Sequence, residues 1–210
     1  MIKVLLADDH AAVAEGIAAL LKDVFQIVGI VHDGRALLEA ADRLQPDVII
    51  TDITMPLLNG VSAIHQLTSS RPRSKIIVLT MHADRELAVE AFRAGAAGYL
   101  LKTASGEEII AAVREVMQGH AYVCSLLTKD LISFLIETRS NTAAGPALTP
   151  RQREVLQLIA EGQTMKEVAA RLNISPRTAE SHKYDMMQQL GVQTTAELIQ
   201  HAIRLKLITV

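Results

Sequence analysis

Apolar runs recur at five places along the first 120 residues, near 2–7, 26–31, 47–52, 75–80 and 97–101. Short β-branched runs of this length predict strands buried on both faces, as in a parallel sheet. Between them the period changes. Val13, Ile17, Leu20 and Leu21 recur at i, i+4, i+7 and i+8, and Ile109, Val113 and Val116, with Ile110 and Met117, behave the same way. That spacing predicts amphipathic helices. Gly34, Gly60, Gly95, Gly106 and Gly119 fall at or near the element ends. Strand and helix patterns in alternation predict an α/β domain, a doubly wound five-stranded parallel sheet with helices on both faces. Right-handed crossovers bring all the strand C-termini to one edge. Open sheets of this kind bind ligands at that edge.

The pattern breaks after residue 122. Leu131, Phe134 and Leu135 predict a short connecting helix, and Thr138 to Pro146 is small, polar and aperiodic, as linkers are. Four short helices follow. Thr149-Pro150 opens the first, over Arg151–Glu161, which Gly162 stops. Thr164, with Glu167 three positions on, caps a second that ends at Asn173. Ser175-Pro176 starts a third, stopped by Gly191, and Thr194 or Thr195 caps a fourth running to about Lys206. The expected organisation is one domain over 1–122, a connection over 123–146 and a small all-α domain over 147–210.

Composition supports two modest domains in 210 residues, half of them hydrophobic. With no Trp and 3% aromatics, Leu, Ile, Val and Ala must fill the cores. No apolar run approaches the roughly 20 residues of a membrane span. The N-terminus runs directly into a strand pattern without a basic region or cleavage site, so no signal peptide is expected. Cys124 is the single cysteine, which excludes an internal disulfide and fits a reducing cytoplasm. The net charge of −2 hides an asymmetry: −4 over 1–146 (13 Lys and Arg, 17 Asp and Glu) and +2 over 147–210 (8 against 6). A polyanionic partner would suit the second part alone.

The chemistry sits at the ends of the apolar runs. Asp8-Asp9 closes the first, Asp52 the third, Thr80 the fourth, and Lys102 follows the fifth. Three carboxylates, a hydroxyl and an ammonium would meet at the ligand-binding edge. Mg²⁺ takes oxygen ligands, usually one or two carboxylates with waters and phosphate oxygens. A cation there relieves carboxylate repulsion and screens Asp52, so that it can attack a phosphodonor. Thr80 could then donate to a phosphate oxygen and Lys102 could pair with its charge. Two hydrogen bonds to a charged group, at roughly 1.5–3 kcal/mol each, match the roughly 5.5 kcal/mol that turns a 1:99 equilibrium into 99:1.

Ala7-Asp8-Asp9-His10, Thr51-Asp52-Ile53-Thr54-Met55-Pro56-Leu57-Leu58-Asn59-Gly60, Thr80-Met81 and Leu101-Lys102 resemble the receiver domain of two-component response regulators over residues 1 to about 120. The resemblance implies that Asp52 is the phosphoacceptor and that Asp8, Asp9, Asp52 and the Thr54 backbone carbonyl hold Mg²⁺. It implies Thr80 and Lys102 as phosphate-sensing residues, and Tyr99 as the aromatic that turns inward when the hydroxyl residue moves. It also implies that the face of the fourth helix, fifth strand and fifth helix moves and pairs. Many receivers have Pro after the lysine, often cis; this chain has Thr103, for which a trans peptide is expected.

In the tail, the helix over 164–173, the turn near Asn173-Ile174-Ser175 and the helix from Pro176 form a helix-turn-helix pattern. Ala179, His182, Met186 and Leu190 should face the core. Arg177, Glu180, Ser181, Tyr184 and Gln188 should point outward, with Lys183 at the margin, as a helix entering a major groove requires. Segments from Leu148 to Leu156, Ile159 to Gly162, Lys166 to Ala169 and Leu172 to Thr178, with His182 and Leu190-Gly191-Val192, resemble the LuxR-type DNA-binding domain. The whole chain thus resembles a NarL/FixJ-family response regulator. The expected DNA-contacting residues are Arg177, Thr178, Glu180, Ser181, Lys183, Tyr184, Gln188 and Lys166, with Arg151 a further phosphate neutraliser. Gln189 and Thr195 stand where the family often has basic residues, and Glu180 and Tyr184 where some relatives have Lys.

The expected function is a cytoplasmic transcription regulator. A sensor histidine kinase phosphorylates it, and it then forms a homodimer on promoter DNA, where RNA polymerase is a further partner. It accepts and loses a phosphoryl group on its own Asp without being a conventional enzyme. Two other readings stand beside it. An aspartyl-phosphate phosphohydrolase of the dehalogenase type needs an acid two residues after the nucleophile, where this chain has Thr54. A protein-interaction module would keep the fold and lose DNA binding.

Overall fold

The computed structural model describes residues 1–70, 73–128, 131, 133 and 148–208. The first part alternates β1 (Lys3–Ala7), α1 (Ala11–Leu21), β2 (Gln26–Val31), α2 (Gly34–Leu44), β3 (Val48–Thr51), α3 (Gly60–Ser70), β4 (Lys75–Thr80), α4 (Arg85–Ala94), β5 (Gly98–Leu101), α5 (Gly106–Met117) and β6 (Tyr122–Val123). The sheet order is β2-β1-β3-β4-β5-β6, and every pairing is parallel. It therefore has six strands where the apolar runs predict five. The sixth is only two residues long. After Gly119, with φ +92°, the chain returns along β5, where Tyr122 N donates to Ala97 O and Cys124 N to Tyr99 O. Two residues cannot form an apolar run, so this strand is set by pairing rather than by pattern.

One core takes in both faces of the sheet and continues through Cys124, Leu127 and Leu131, past the expected boundary at 122. Residues 125–128 are helical. Phe134 and Leu135 of the expected connecting helix, and the expected linker over 138–146, lie outside the described residues. On α1 the buried residues are Ala14 and Leu21, whereas Val13 and Leu20 are exposed. The inward stripe is thus narrower than the apolar pattern suggests, because alanines do part of the packing.

A second core gathers Leu148, Val155, Leu156, Ile159, Val168, Ala179, Met186, Leu198 and neighbours. It is built by α6 (Pro150–Ala160), α7 (Met165–Leu172), α8 (Pro176–Leu190) and α9 (Thr195–Arg204). Thr149, Thr164 and Thr194 each form a capping box with the residue three positions on, and Ser175 caps α8. Each cap satisfies N–H groups that a helix start leaves without an intrahelical partner. Asn173 and Gly191 end α7 and α8 in left-handed conformations. Among the described residues, no helix is long and apolar enough to cross a membrane.

Candidate phosphoacceptor site and nucleic-acid interface

The parallel ladder builds the site. Ala7 pairs with Thr51, so Asp8 and Asp52 leave their strands side by side. Asp52 N donates to Ala7 O, and Asp8 N to Val31 O, at 2.8 and 3.0 Å. Thr80 pairs with Leu101, and Lys102 N donates to Thr80 O at 2.8 Å. Backbone hydrogen bonds thus fix four of the five expected residues along one edge. The fifth, Asp9, follows Asp8 and is less buried, its side chain 27% exposed.

Lys102 Nζ lies 2.7 Å from both Asp8 Oδ2 and Asp52 Oδ2, and all three side chains are almost fully buried. Burial pulls the Lys102 pKa down, but hydrogen bonds and charge from Asp52 and Asp8 outweigh it, and the net shift is upward. The other Asp52 oxygen accepts from Ile53 N at 2.6 Å and Thr54 N at 3.4 Å. Thr80 is buried, and its hydroxyl accepts from His82 N at 3.4 Å. The Thr54 hydroxyl is 3.3 Å from His82 Nε2, which places both at the rim. Tyr99 is fully buried, and its hydroxyl donates to His82 O at 2.8 Å. Burial first, then nearby negative charge, pushes its phenol pKa well up. The bond between Lys102 and Thr103 is trans, since no described peptide bond is cis.

Glycines let the site close. A Cβ on Gly60 would lie 2.2 Å from Asp52 O, and one on Gly34 would lie 1.9 Å from Leu58 O. Asp8, Asp9, His10 and Asp52 each offer a ligand atom within 4.8 Å of the others. His10 Nδ1 is already 2.8 Å from Asp9 Oδ1. The carboxylates outnumber the imidazole, so the donor set fits a hard cation such as Mg²⁺.

The third helix of the tail divides by face as its sequence predicts. Ala179 and Met186 are buried, and His182 and Leu190 half-buried. Arg177, Thr178, Glu180, Ser181, Tyr184 and Gln188 are exposed, Lys183 is half-buried, and Lys166 is exposed on α7. Gln188 Nε2 donates to the Tyr184 hydroxyl at 3.0 Å. Arg151 is engaged elsewhere: its guanidinium donates to Glu154 at 2.9 Å and to Leu172 O at 2.6 Å. It ties α6 to the end of α7. Gln189 is half-buried and meets Gln152 at 3.4 Å.

Sequence reasoning missed a third set of residues, on α6. Gln157 is fully buried and Glu154 nearly so, although both belong to a polar-looking helix face. Besides Arg151 and Glu161 of the tail, their partners are in the first domain. Gln66 Nε2 donates to Glu154 at 2.7 Å, Arg35 lies 3.4 Å from the same carboxylate, and Arg153 pairs with Glu90. Lys206 Nζ donates to Asp84 Oδ2 at 2.6 Å while Asp84 Oδ1 caps α4. No single-sequence signal marks these contacts, because each half looks like an ordinary solvated side chain.

Residues 4–114 match the family model described as the response regulator receiver domain, and residues 146–202 match that described as bacterial regulatory proteins of the luxR family. The oxygen regulatory protein NreC of Staphylococcus carnosus is 36% identical, over 98% of this chain and 99% of its own. The transcriptional regulatory protein MctR of Rhizobium johnstonii is 36% identical, over 96% and 93% respectively. A solved structure of the RcsB response regulator of Salmonella typhimurium is 30% identical, with a TM-score of 0.65 over 95% of this chain and 96% of its own. A receiver-type edge at the front and a helix-turn-helix at the back, matched together over nearly the whole length, settle the kinship: the chain belongs to the NarL/FixJ family of two-component response regulators, with a receiver domain and a LuxR-type DNA-binding domain.

Proposed function

We propose that this regulator is switched by phosphorylation of Asp52 and that the switch controls binding of its tail to promoter DNA. The observation that carries the reading is the meeting of Asp52 with Asp8 and Lys102 at the sheet edge, with Thr80 and Asp9 beside them. Asp52 Oδ2 attacks the phosphorus of a phosphohistidine on a sensor histidine kinase. The P–O bond forms as the P–N bond breaks, and the leaving imidazole keeps the electron pair and takes a proton. Asp8, Asp9, Asp52 and the Thr54 backbone carbonyl would hold Mg²⁺, which supplies screening of the carboxylates and of phosphoryl charge. Lys102 Nζ moves from Asp52 to a phosphoryl oxygen, and Thr80 turns its hydroxyl toward another. Water later hydrolyses the acyl phosphate, so the chain is its own substrate rather than a conventional enzyme.

The energetics refine the switch. Lys102 already holds two charged partners, so its phosphoryl contact is an exchange rather than a gain. Thr80 alone contributes roughly 1.5–3 kcal/mol, short of the roughly 5.5 kcal/mol for a full population shift. Pairing of two receivers through α4, β5 and α5 supplies the remainder. A twofold dimer would read half-sites about 10 bp apart, or a multiple of that. The solved RcsB is bound to promoter DNA in the presence of the phosphomimetic beryllofluoride, and in another structure two RcsB dimers are bound to two DNAs. Carried to this chain, the same arrangement makes promoter DNA and a second copy its partners, and a regulator seated on a promoter in the cytoplasm has RNA polymerase as a further partner.

The test is a titration with acetyl phosphate or beryllofluoride and Mg²⁺, with light scattering for mass and fluorescence anisotropy for DNA, and Asp52→Asn alongside. The wild type should gain mass and DNA affinity, and the variant neither. A dimer without DNA affinity at low salt would return the tail to a protein-interaction role. No change in either signal would remove Asp52 as the switch.

A further inference from the structure

The face of α8 turned away from the tail core carries a charge of the wrong sign for a polyanion. Glu180, in the second turn, is exposed, as are Arg177, Ser181, Tyr184 and Gln188. At 3.6 residues per turn, those four fall within about 40° of one line along the helix, and Glu180 about 60° to one side of it. Ala179 and Met186 are buried on the opposite face. The N-terminal part of a recognition helix is the part that meets base edges. Glu180 therefore stands among the base readers.

Nothing on the helix neutralises it. Arg177 precedes Glu180 by three positions and Lys183 follows it by three, the spacing of a helical ion pair. Among the described residues, Glu180 nevertheless has neither a salt bridge nor a hydrogen bond. Its neighbours are engaged: Ser175 Oγ lies 2.8 Å from Thr178 Oγ1 at the cap, and Gln188 Nε2 donates to the Tyr184 hydroxyl at 3.0 Å. The Glu180 carboxylate is left for a partner outside the chain.

That carboxylate repels every phosphate, so it favours binding only where a base supplies a donor. An ionised carboxylate accepts hydrogen bonds and donates none. In the major groove guanine shows two acceptors, and thymine an acceptor beside a methyl group. Adenine shows its N6 donor next to the N7 acceptor, a pair that suits an amide. Cytosine shows the N4 amino donor alone. We propose that Glu180 reads a cytosine, through its N4 amino group, at one position of each half-site. The inference rests on the tail binding promoter DNA through the major groove. The same carboxylate opposes binding elsewhere, so it raises discrimination and lowers affinity for other sequences.

The test uses the full-length protein with beryllofluoride and Mg²⁺ at low salt, and a pool of random-sequence duplexes from which bound molecules are sequenced. Wild type, Glu180→Gln and Glu180→Ala are compared; the side chain is exposed and unpaired, so both variants should melt with the wild type. Wild type should select cytosine at one position per half-site. Glu180→Gln should move that position to adenine, whose N6 and N7 an amide can bridge. Glu180→Ala should accept all four bases there and bind the unselected pool more tightly. On the selected site, changing that C·G pair to T·A turns the donor into an acceptor. The change should weaken the wild type about tenfold and Glu180→Ala less than twofold. The same selection by wild type and Glu180→Ala, or an equal loss on the altered site, overturns the assignment. So does a wild type that selects another base at every position the variants change. If neither wild type nor Glu180→Ala shifts any duplex, DNA binding by the tail itself fails, and the base assignment falls with it.

Discussion

Lys102 Nζ lies 2.7 Å from Asp52 Oδ2, with both side chains 6–7% exposed. An ammonium this buried is stable only because carboxylates surround it. Lys102→Met would leave Asp8 and Asp52 facing each other without a counter-charge, and breaking a buried ion pair from one side costs about 3–5 kcal/mol. Urea unfolding should show that loss at neutral pH, and added Mg²⁺ should recover part of it.

The same pair predicts a pH profile. The Lys102 pKa is raised, so its contribution is fully present below the unfolded-state value of about 10.4 and fades only as pH rises through the higher folded-state value. The wild-type minus Lys102→Met stability difference should therefore be flat from about pH 7 to about pH 10. A difference that halves by pH 9 would mean that the ammonium is not held as tightly as its two short contacts require.

Tyr99→Phe isolates one hydrogen bond, because the ring stays buried and only the bond from its hydroxyl to His82 O disappears. The cost should be about 1 kcal/mol, read as a shift in denaturant midpoint. His82 lies in the loop between β4 and α4, so exchange of the amides around His82 and Asp84 should quicken in the variant. An unchanged exchange pattern would detach Tyr99 from that loop.

These site residues were legible because each closes an apolar run, and parallel pairing turns sequence position into spatial position. The tail helices were legible through their caps: Thr149, Thr164, Ser175 and Thr194 all bond the residue three positions on. Strand β6 was not, since two residues give no periodicity. Nor were Gln157 and Glu154, whose burial depends on residues about 90 to 120 positions earlier in the chain. A polar side chain buried at a contact between domains carries the same local pattern as one in water. Lys102 was legible as a phosphate partner, but its resting pairing with Asp8 and Asp52 follows from three-dimensional distance alone.

Gly60→Ala should damage the site without changing its chemistry. Its new Cβ would fall 2.2 Å from Asp52 O and 2.7 Å from Ile53 Cα, both backbone atoms that cannot rotate away. Overpacking of this kind costs about 1–3 kcal/mol. Thermal unfolding should drop accordingly, and beryllofluoride affinity should fall with it because Asp52 is displaced. Wild-type beryllofluoride binding in a destabilised variant would show that the turn adjusts independently of the carboxylate.

DNA binding should separate charge from base reading. Arg177 and Lys166 are exposed and Lys183 half-buried, and these are the cations proposed to meet DNA, while Arg151 is held by Glu154 and Leu172 O. Neutralising three phosphates per protomer gives a dimer a log–log salt slope of roughly −5. Arg177→Ala should flatten that slope by about 2, because each protomer then neutralises one phosphate fewer, and weaken all sequences alike. Arg151→Ala should leave the slope unchanged and instead lower the melting temperature of the tail. Tyr184→Ala, which removes an exposed ring from the recognition strip, should alter preference among sequences with the slope intact. Anisotropy titrations across salt on a selected site and on a scrambled one distinguish these outcomes. A slope that falls with Arg151→Ala would place that guanidinium on the DNA after all, and with it a rearrangement of α6 on binding.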